Sequence, residues 1–420
     1  MPLTFPAINQ QLVTQLRDPV RTLMVIGLHA ASQFWLLSLM ARYCDTTIVG
    51  YYVLGFAVAA PAIMFLNLRL RIVLANDVSV SDPTWALVRF RIITCSATLA
   101  TITAGALAAY GVSMQTAIIT LVGAIKAVEA FSDICYGGLQ RLQQGRVVEK
   151  SIVRRAALTI VCASLCLYLT RDAVTGLLAV LMIWSLAALL DWRNLKQKNS
   201  RTSSIETHVA GVLGIAKRYL PLGLAALLAS LAYNVPRYFI SAAGTAEQLA
   251  HYGVAAYFGQ ITLMAATAAT EALIPSITQQ HAGMLKSGHY LTAVRRVYRL
   301  IALTGAASLA LGATAGHPLL LHFFGLGYAE HLDVLLMVQF ASVFGALSIC
   351  QVHVVIALGV YREQMLTALA SFTLLIAASA VLVPAMGILG AACADIIYSL
   401  VFFVWIEALI HRHGRGEQPA

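Results

Sequence analysis

The chain has 420 residues, of which 60% are apolar and 11% charged, with a mean hydropathy of +0.79. A water-facing globular domain carries about 25% charged residues, so this composition excludes an ordinary soluble enzyme and makes lipid the solvent. A spanning helix needs ~20 apolar residues, so there is material for about a dozen spans; the net charge of +10 then belongs to their connections and implies no nucleic-acid partner.

The apolar runs are long and lack strict alternation, and unpaired backbone is not tolerated in hydrocarbon, so each run predicts a helix. The first six are expected at 20–41, 47–66, 92–110, 116–136, 152–170 and 173–190. The second six are expected at 219–240, 253–274, 300–324, 334–358, 365–383 and 387–410. The first run exceeds a signal peptide's apolar stretch and ends in Met40-Ala-Arg-Tyr without a convincing cleavage site, so it reads as a retained first helix. With these spans, 24 of the 28 Lys and Arg residues fall on one face. Arg42 and Arg171 lie on the other face, and Lys126 and Arg237 fall inside spans. Cytoplasmic connections carry the Lys and Arg excess, so both termini are expected in the cytoplasm, and the clean alternation supports an even count of twelve. The seven cysteines lie in or beside apolar segments, without Cys-x-x-Cys spacing. They read as packing residues rather than metal ligands or a disulfide framework.

The longest connection, 191–218, divides the spans six and six and predicts halves at 1–200 and 201–420. A weak repeat agrees with it. The first span ends in Arg42-Tyr43 and the next begins Gly50-Tyr51-Tyr52, while the seventh ends in Pro236-Arg237-Tyr238 and the eighth begins Tyr252-Gly253. Copies separated by an even number of spans keep one membrane orientation, so their pseudo-twofold axis runs along the membrane normal. Substrate is expected between the halves.

The run Met40-Ala-Arg-Tyr into Val49-Gly-Tyr-Tyr, then Phe65-Leu-Asn-Leu-Arg-Leu-Arg, Tyr233-Asn-Val-Pro-Arg-Tyr and Phe324-Gly-Leu-Gly-Tyr resembles the Wzx-type polysaccharide flippases. These belong to the multidrug/oligosaccharidyl-lipid/polysaccharide exporter superfamily. The resemblance covers nearly the whole chain through short, degenerate motifs. It implies an all-α polytopic membrane protein with two six-helix bundles around a central cavity, in the bacterial inner membrane. It also implies transfer of an undecaprenyl-pyrophosphate-linked oligosaccharide from the cytoplasmic to the periplasmic leaflet, with a polysaccharide polymerase and a chain-length regulator as potential partners.

That task calls for an intramembrane cation to hold the pyrophosphate. Arg237 is the first candidate, because ionisable groups within spans usually face a cavity or a partner and a guanidinium grips phosphate oxygens through paired hydrogen bonds. Pro236 beside it frees a carbonyl. The alternative is an Arg237 that snorkels to the periplasmic headgroups. Lys126, Glu129 and Asp133 share one face of the fourth span at i, i+3, i+7, either as a cavity stripe or as an internal salt-bridged ladder. Asp395 is a proton or cation site, or a partner for Arg237 or Lys126. Glu271, before Pro275, reads as a gate or headgroup contact. His29 and Gln33 share a face at i, i+4, and with Arg42, Tyr233 and Asn234 they complete the expected substrate contacts. Buried polar groups such as these, and Gln339, Gln351 and His353, also serve simply to tie helices together in lipid. Trp35, Tyr51 and Tyr52 read first as interface anchors.

The 67–72 segment and the Arg295-Arg296-Val-Tyr-Arg299 run set cations against anionic phospholipid headgroups. No Gly-x-x-x-x-Gly-Lys-Ser/Thr element occurs, so no cofactor is expected and hydrolysis is not the energy source. Transport would draw on a proton or sodium gradient, or on removal of product. The rivals are a cation-coupled drug antiporter of the same superfamily and a membrane-embedded polymerase or ligase. The latter usually presents a large periplasmic loop, and every such loop predicted here is short.

Overall fold

The computed structural model describes residues 6–76, 84–199, 212–280 and 288–414; the side chains of 6–20 and of Glu271, among others, are outside it. In chain order the described helices are α1 Pro6–Tyr43, α2 Thr46–Asn67, α3 Leu70–Asn76, α4 Thr84–Tyr110, α5 Met114–Arg141, α6 Gly145–Thr170 and α7 Ala173–Asn199. They continue as α8 Val212–Ala243, α9 Ala246–Gln280, α10 Gly288–Phe323, α11 Leu326–Ala329, α12 Leu332–Ala357, α13 Tyr361–Met386 and α14 Ile388–Gly414. No strand occurs among the described residues. Every one of the twelve expected spans falls on a long helix, and ten of these are long and apolar enough to cross a membrane. The protein is therefore a multi-pass membrane protein. Several helices run well past the expected limits: residues 191–199, expected in a connection, are the last turns of α7, while 200–211 lie outside the described residues.

Two compact units, Met1–Asn234 and Val235–Ala420, divide the chain. The division falls inside α8, between Asn234 and Val235, and the helix continues through Pro236. In the first unit, Leu70 and Leu74 of α3, Leu87 and Phe90 of α4, Leu139 of α5, Leu195 of α7 and Ile215 of α8 bury one core. In lipid, helices associate through close packing rather than hydrophobic transfer, and small residues permit that approach. A Cβ on Gly223 of α8 would lie 2.6 Å from the Phe65 carbonyl oxygen at the end of α2. In the second unit, Ile301 of α10, Cys350 and Val354 of α12 and Ile406 of α14 form the corresponding core.

The turn into α7 is fixed by Asp172, whose carboxylate accepts from the Thr175 backbone N–H at 2.9 Å and from the Thr175 hydroxyl at 2.6 Å. The Thr175 hydroxyl bond holds this carboxyl below the usual carboxylate range. A depressed value means that the cap's contribution is complete above the unfolded pKa and fades as pH falls through the folded one. Asp172→Ala is expected to cost about 0.5–2 kcal/mol, seen as a lower melting temperature in detergent at neutral pH, with the difference from wild type shrinking on acidification. At the α13–α14 hairpin, a Cβ on Gly390 would lie 2.0 Å from the Leu382 carbonyl oxygen. Backbone cannot give way as a side-chain tip can, so Gly390→Ala is expected to destabilise by about 1–3 kcal/mol, read from the same melting assay.

Candidate functional site: a buried charge cluster in each unit

In the first unit, α5 presents Lys126, Glu129, Ser132, Asp133, Tyr136 and Gln140 toward its neighbours along a helical stripe. Lys126 Nζ donates to Glu129 Oε2 at 2.8 Å and sits 4.6 Å from the centroid of the Phe56 ring on α2. Glu129 Oε1 lies 3.2 Å from His29 Nε2 on α1, and Gln33 Nε2 lies 3.1 Å from the same imidazole nitrogen. One nitrogen cannot serve both neighbours as drawn. When His29 Nε2 carries the proton toward the Glu129 carboxylate, the Gln33 amide must turn its oxygen inward. His29 Nδ1 is buried with no hydrogen-bond partner among the described residues. Beside this cluster, Gln33, Tyr52, Phe56, Thr159 and Trp184 help to line a pocket of about 10 Å³, room for about one water.

One turn further along α5, Asp133 Oδ1 accepts from Arg71 Nη1 of α3 at 2.8 Å, and Arg71 Nε donates to Gln140 at 3.3 Å. The cationic 67–72 segment thus sends one arginine inward to Asp133 and leaves Arg69 exposed. Arg42 lies exposed in the last turn of α1, where a cation complements the helix dipole.

In the second unit the charges are fewer. Arg237 on α8 is 8% exposed, and its guanidinium is near enough to act on Asp395 of α14. The Tyr252 hydroxyl of α9 donates to the Asp395 carboxylate. Arg237, Tyr252 and Asp395 therefore form one group, within reach of Tyr398. Gln351, fully buried on α12, donates to Glu407 of α14 at 2.7 Å, and His353 stays with the Ile349 carbonyl of its own helix.

The other expected contacts are more local. Asn234 is 2% exposed and donates to the Ser230 carbonyl one turn back at 2.8 Å. Tyr233 is half-buried. Trp35 donates to Ser164 of α6 at 2.8 Å. Glu271 lies on α9, and its side chain is outside the described residues.

Three buried ionic residues escape a sequence reading. Asp191 and Arg155, which there belong to cytoplasmic connections, lie on α7 and α6 with 0% and 3% exposure, and Arg91 on α4 is 0% exposed with Nη2 donating to the Asn67 carbonyl at 3.0 Å. The available signal was their position within or beside an apolar run, which the positive-inside count absorbed.

No family model matches the chain. It is 23% identical over 381 residues to the capsular polysaccharide biosynthesis protein CapF of Staphylococcus aureus, covering 90% of this chain and 94% of that protein. Among solved structures it is similar to an inward-facing multidrug resistance MATE transporter of the MOP superfamily, with a TM-score of 0.70 at 13% identity over 93% of this chain and 96% of that one. It is also similar to the lipid II flippase MurJ in an inward closed conformation, with a TM-score of 0.69 at 9% identity over 92% and 87%. The chain has their fold.

Proposed function

We propose that the protein is a flippase that moves an undecaprenyl-pyrophosphate-linked oligosaccharide from the cytoplasmic to the periplasmic leaflet of the bacterial inner membrane by alternating access. The glycan would serve O-antigen, capsule or exopolysaccharide assembly. The observation that carries this reading is the end-to-end similarity to a capsular polysaccharide biosynthesis protein. The residues support it: a pyrophosphate needs a cation inside the membrane, and Arg237 is a buried guanidinium near enough to a carboxylate to act on it. A guanidinium so placed can exchange the influence of its carboxylate neighbour for that of a diphosphate of higher charge.

In this reading Lys126, Arg42, His29, Gln33, Asn234 and Tyr233 belong to substrate recognition, while Asp395, Glu129, Asp133 and Glu271 belong to ion coupling or gating. The Lys126 ammonium beside Glu129 repels a second cation, which speaks against a sodium ion bound at this carboxylate. In this reading both termini lie in the cytoplasm, the chain is organised as six-span halves at 1–200 and 201–420, and a polymerase and chain-length regulator receive the product. No bond is made or broken, so the protein is not an enzyme.

Purified protein in liposomes holding a fluorescent lipid-linked oligosaccharide tests the proposal. Transfer between leaflets is the expected result. Ion-driven efflux of organic cations without such transfer would instead identify a drug antiporter.

A further inference from the structure

Arg146, Lys150 and Arg154 follow i, i+4, i+8 from the start of α6, and all three are exposed. At about 3.6 residues per turn they share one sector of the helix, and Ala157, Val161 and Leu165, also exposed, continue that sector into its apolar body. Val161 and Leu165 are 63% and 57% exposed. Between Val153 and Leu169 the only exposed charge is Arg154. On a helix long and apolar enough to cross a membrane, such a face is covered by acyl chains.

The three cations are open to a ligand. None has an ion-pair partner among the described residues. The only acid in the α6 sequence, Glu149, lies to one side of the sector and is paired with Arg21 of α1, so it does not compete for them. Cα–Cβ bonds in a helix tilt toward its N-terminus. That direction lets the long stem of Arg154, ~12 Å along the axis from Arg146, lie on apolar surface and return its charge toward headgroup depth.

Other lipid-facing helices are built differently. α4 and α13 are at least as exposed as α6, yet the first two turns of each expose a single cation, Arg89 and Arg362. One cation satisfies the ordinary bias of connections toward Lys and Arg. Three in one sector, above an uninterrupted apolar track, match a molecule with an anionic phosphodiester at one end and hydrocarbon at the other.

We infer that the outer face of α6 is a binding site for an anionic glycerophospholipid of the bilayer. Arg146, Lys150 and Arg154 hold its phosphodiester, and an acyl chain lies along Ala157, Val161 and Leu165. The leaflet is the one that contains the α5–α6 connection, which is the cytoplasmic leaflet in the orientation proposed above. Such a site is independent of the molecule transported, and its test needs no transport.

The full chain is reconstituted in phosphatidylcholine liposomes with a trace of phosphatidylglycerol that carries a photoactivatable diazirine in an acyl chain. After illumination, the labelled peptides are mapped by mass spectrometry. The label is expected to concentrate on residues 153–165, to be displaced by added phosphatidylglycerol, and to fade in 1 M salt, where the screening length falls to about 3 Å. A cation near headgroups contributes a factor of about 5. Arg154→Gln should therefore weaken the competition about 5-fold, and Arg146→Gln with Lys150→Gln and Arg154→Gln about 10²-fold. All three side chains are exposed, so the triple variant is expected to melt as the wild type does. Arg89→Gln with Arg362→Gln removes two comparable cations elsewhere and should leave the label on α6 unchanged.

A wild type labelled evenly over its lipid-facing helices would overturn the site, as would a triple variant labelled like the wild type. Loss of the label in Arg89→Gln with Arg362→Gln would overturn it in favour of a diffuse field. Displacement by undecaprenyl pyrophosphate but not by phosphatidylglycerol would overturn it too, and would give this face to the transported lipid.

Discussion

Arg237→Glu is expected to abolish export of the glycan, measured as surface polysaccharide in cells whose membranes hold normal amounts of the protein. Arg237→Lys should retain part of it, since a point charge keeps some attraction for a pyrophosphate but not the planar paired geometry. Arg237→Ala combines two effects. It removes the cation, and it leaves Asp395 without the guanidinium that acts on it; truncating one member of a buried pair costs about 3–5 kcal/mol. The double variant Arg237→Ala with Asp395→Asn separates them. It removes both charges and is expected to restore the amount of folded protein while leaving export absent. Export restored by the double variant would show that Arg237 serves only to neutralise Asp395, and the pyrophosphate assignment would fall.

The contrast between those outcomes follows from what a sequence can and cannot place. Helix positions were legible because a span is a local property: about 20 apolar residues announce themselves whatever surrounds them, and all twelve fall on helices of the structure. The stripe Lys126, Glu129, Asp133 was legible for a related reason, since i, i+3, i+7 spacing fixes a shared face before any partner is known. Partners are a tertiary fact. That Glu129 meets His29 a hundred positions earlier, and that Asp395 meets Tyr252, depends on which helices adjoin. Asp191 and Arg155 were missed because a charge near the end of an apolar run looks the same whether it faces headgroups or a packed interior. In this chain α6 and α7 reach further than their apolar cores, and the residues just past those cores turn inward.

The second large effect is expected at Glu129. Its carboxylate bridges an ammonium and an imidazole, with side chains only 24%, 17% and 21% exposed for Glu129, Lys126 and His29. Glu129→Gln should lower stability by a few kcal/mol, on the order of 3 as for a pair broken at one end, because Lys126 keeps its charge and loses its counter-ion. It should also remove the response of transport to a pH gradient. Lys126→Gln with Glu129→Gln leaves no charge uncompensated, so the melting temperature in detergent is expected to recover toward that of the wild type. The pH response is expected to stay lost, because an amide can fill the carboxylate's place in the packing but carries no ionisable carboxyl. A double variant with wild-type stability and a wild-type pH response would confine the cluster to holding α1 against α5, and the coupling role would have to move to Asp395. A stable double variant without the response means that the same three side chains that join two helices also carry the transported proton. The ladder's structural and functional readings are then compatible, because a contact between α1 and α5 that depends on the protonation of Glu129 gives the proton a difference in free energy between two states on which to act.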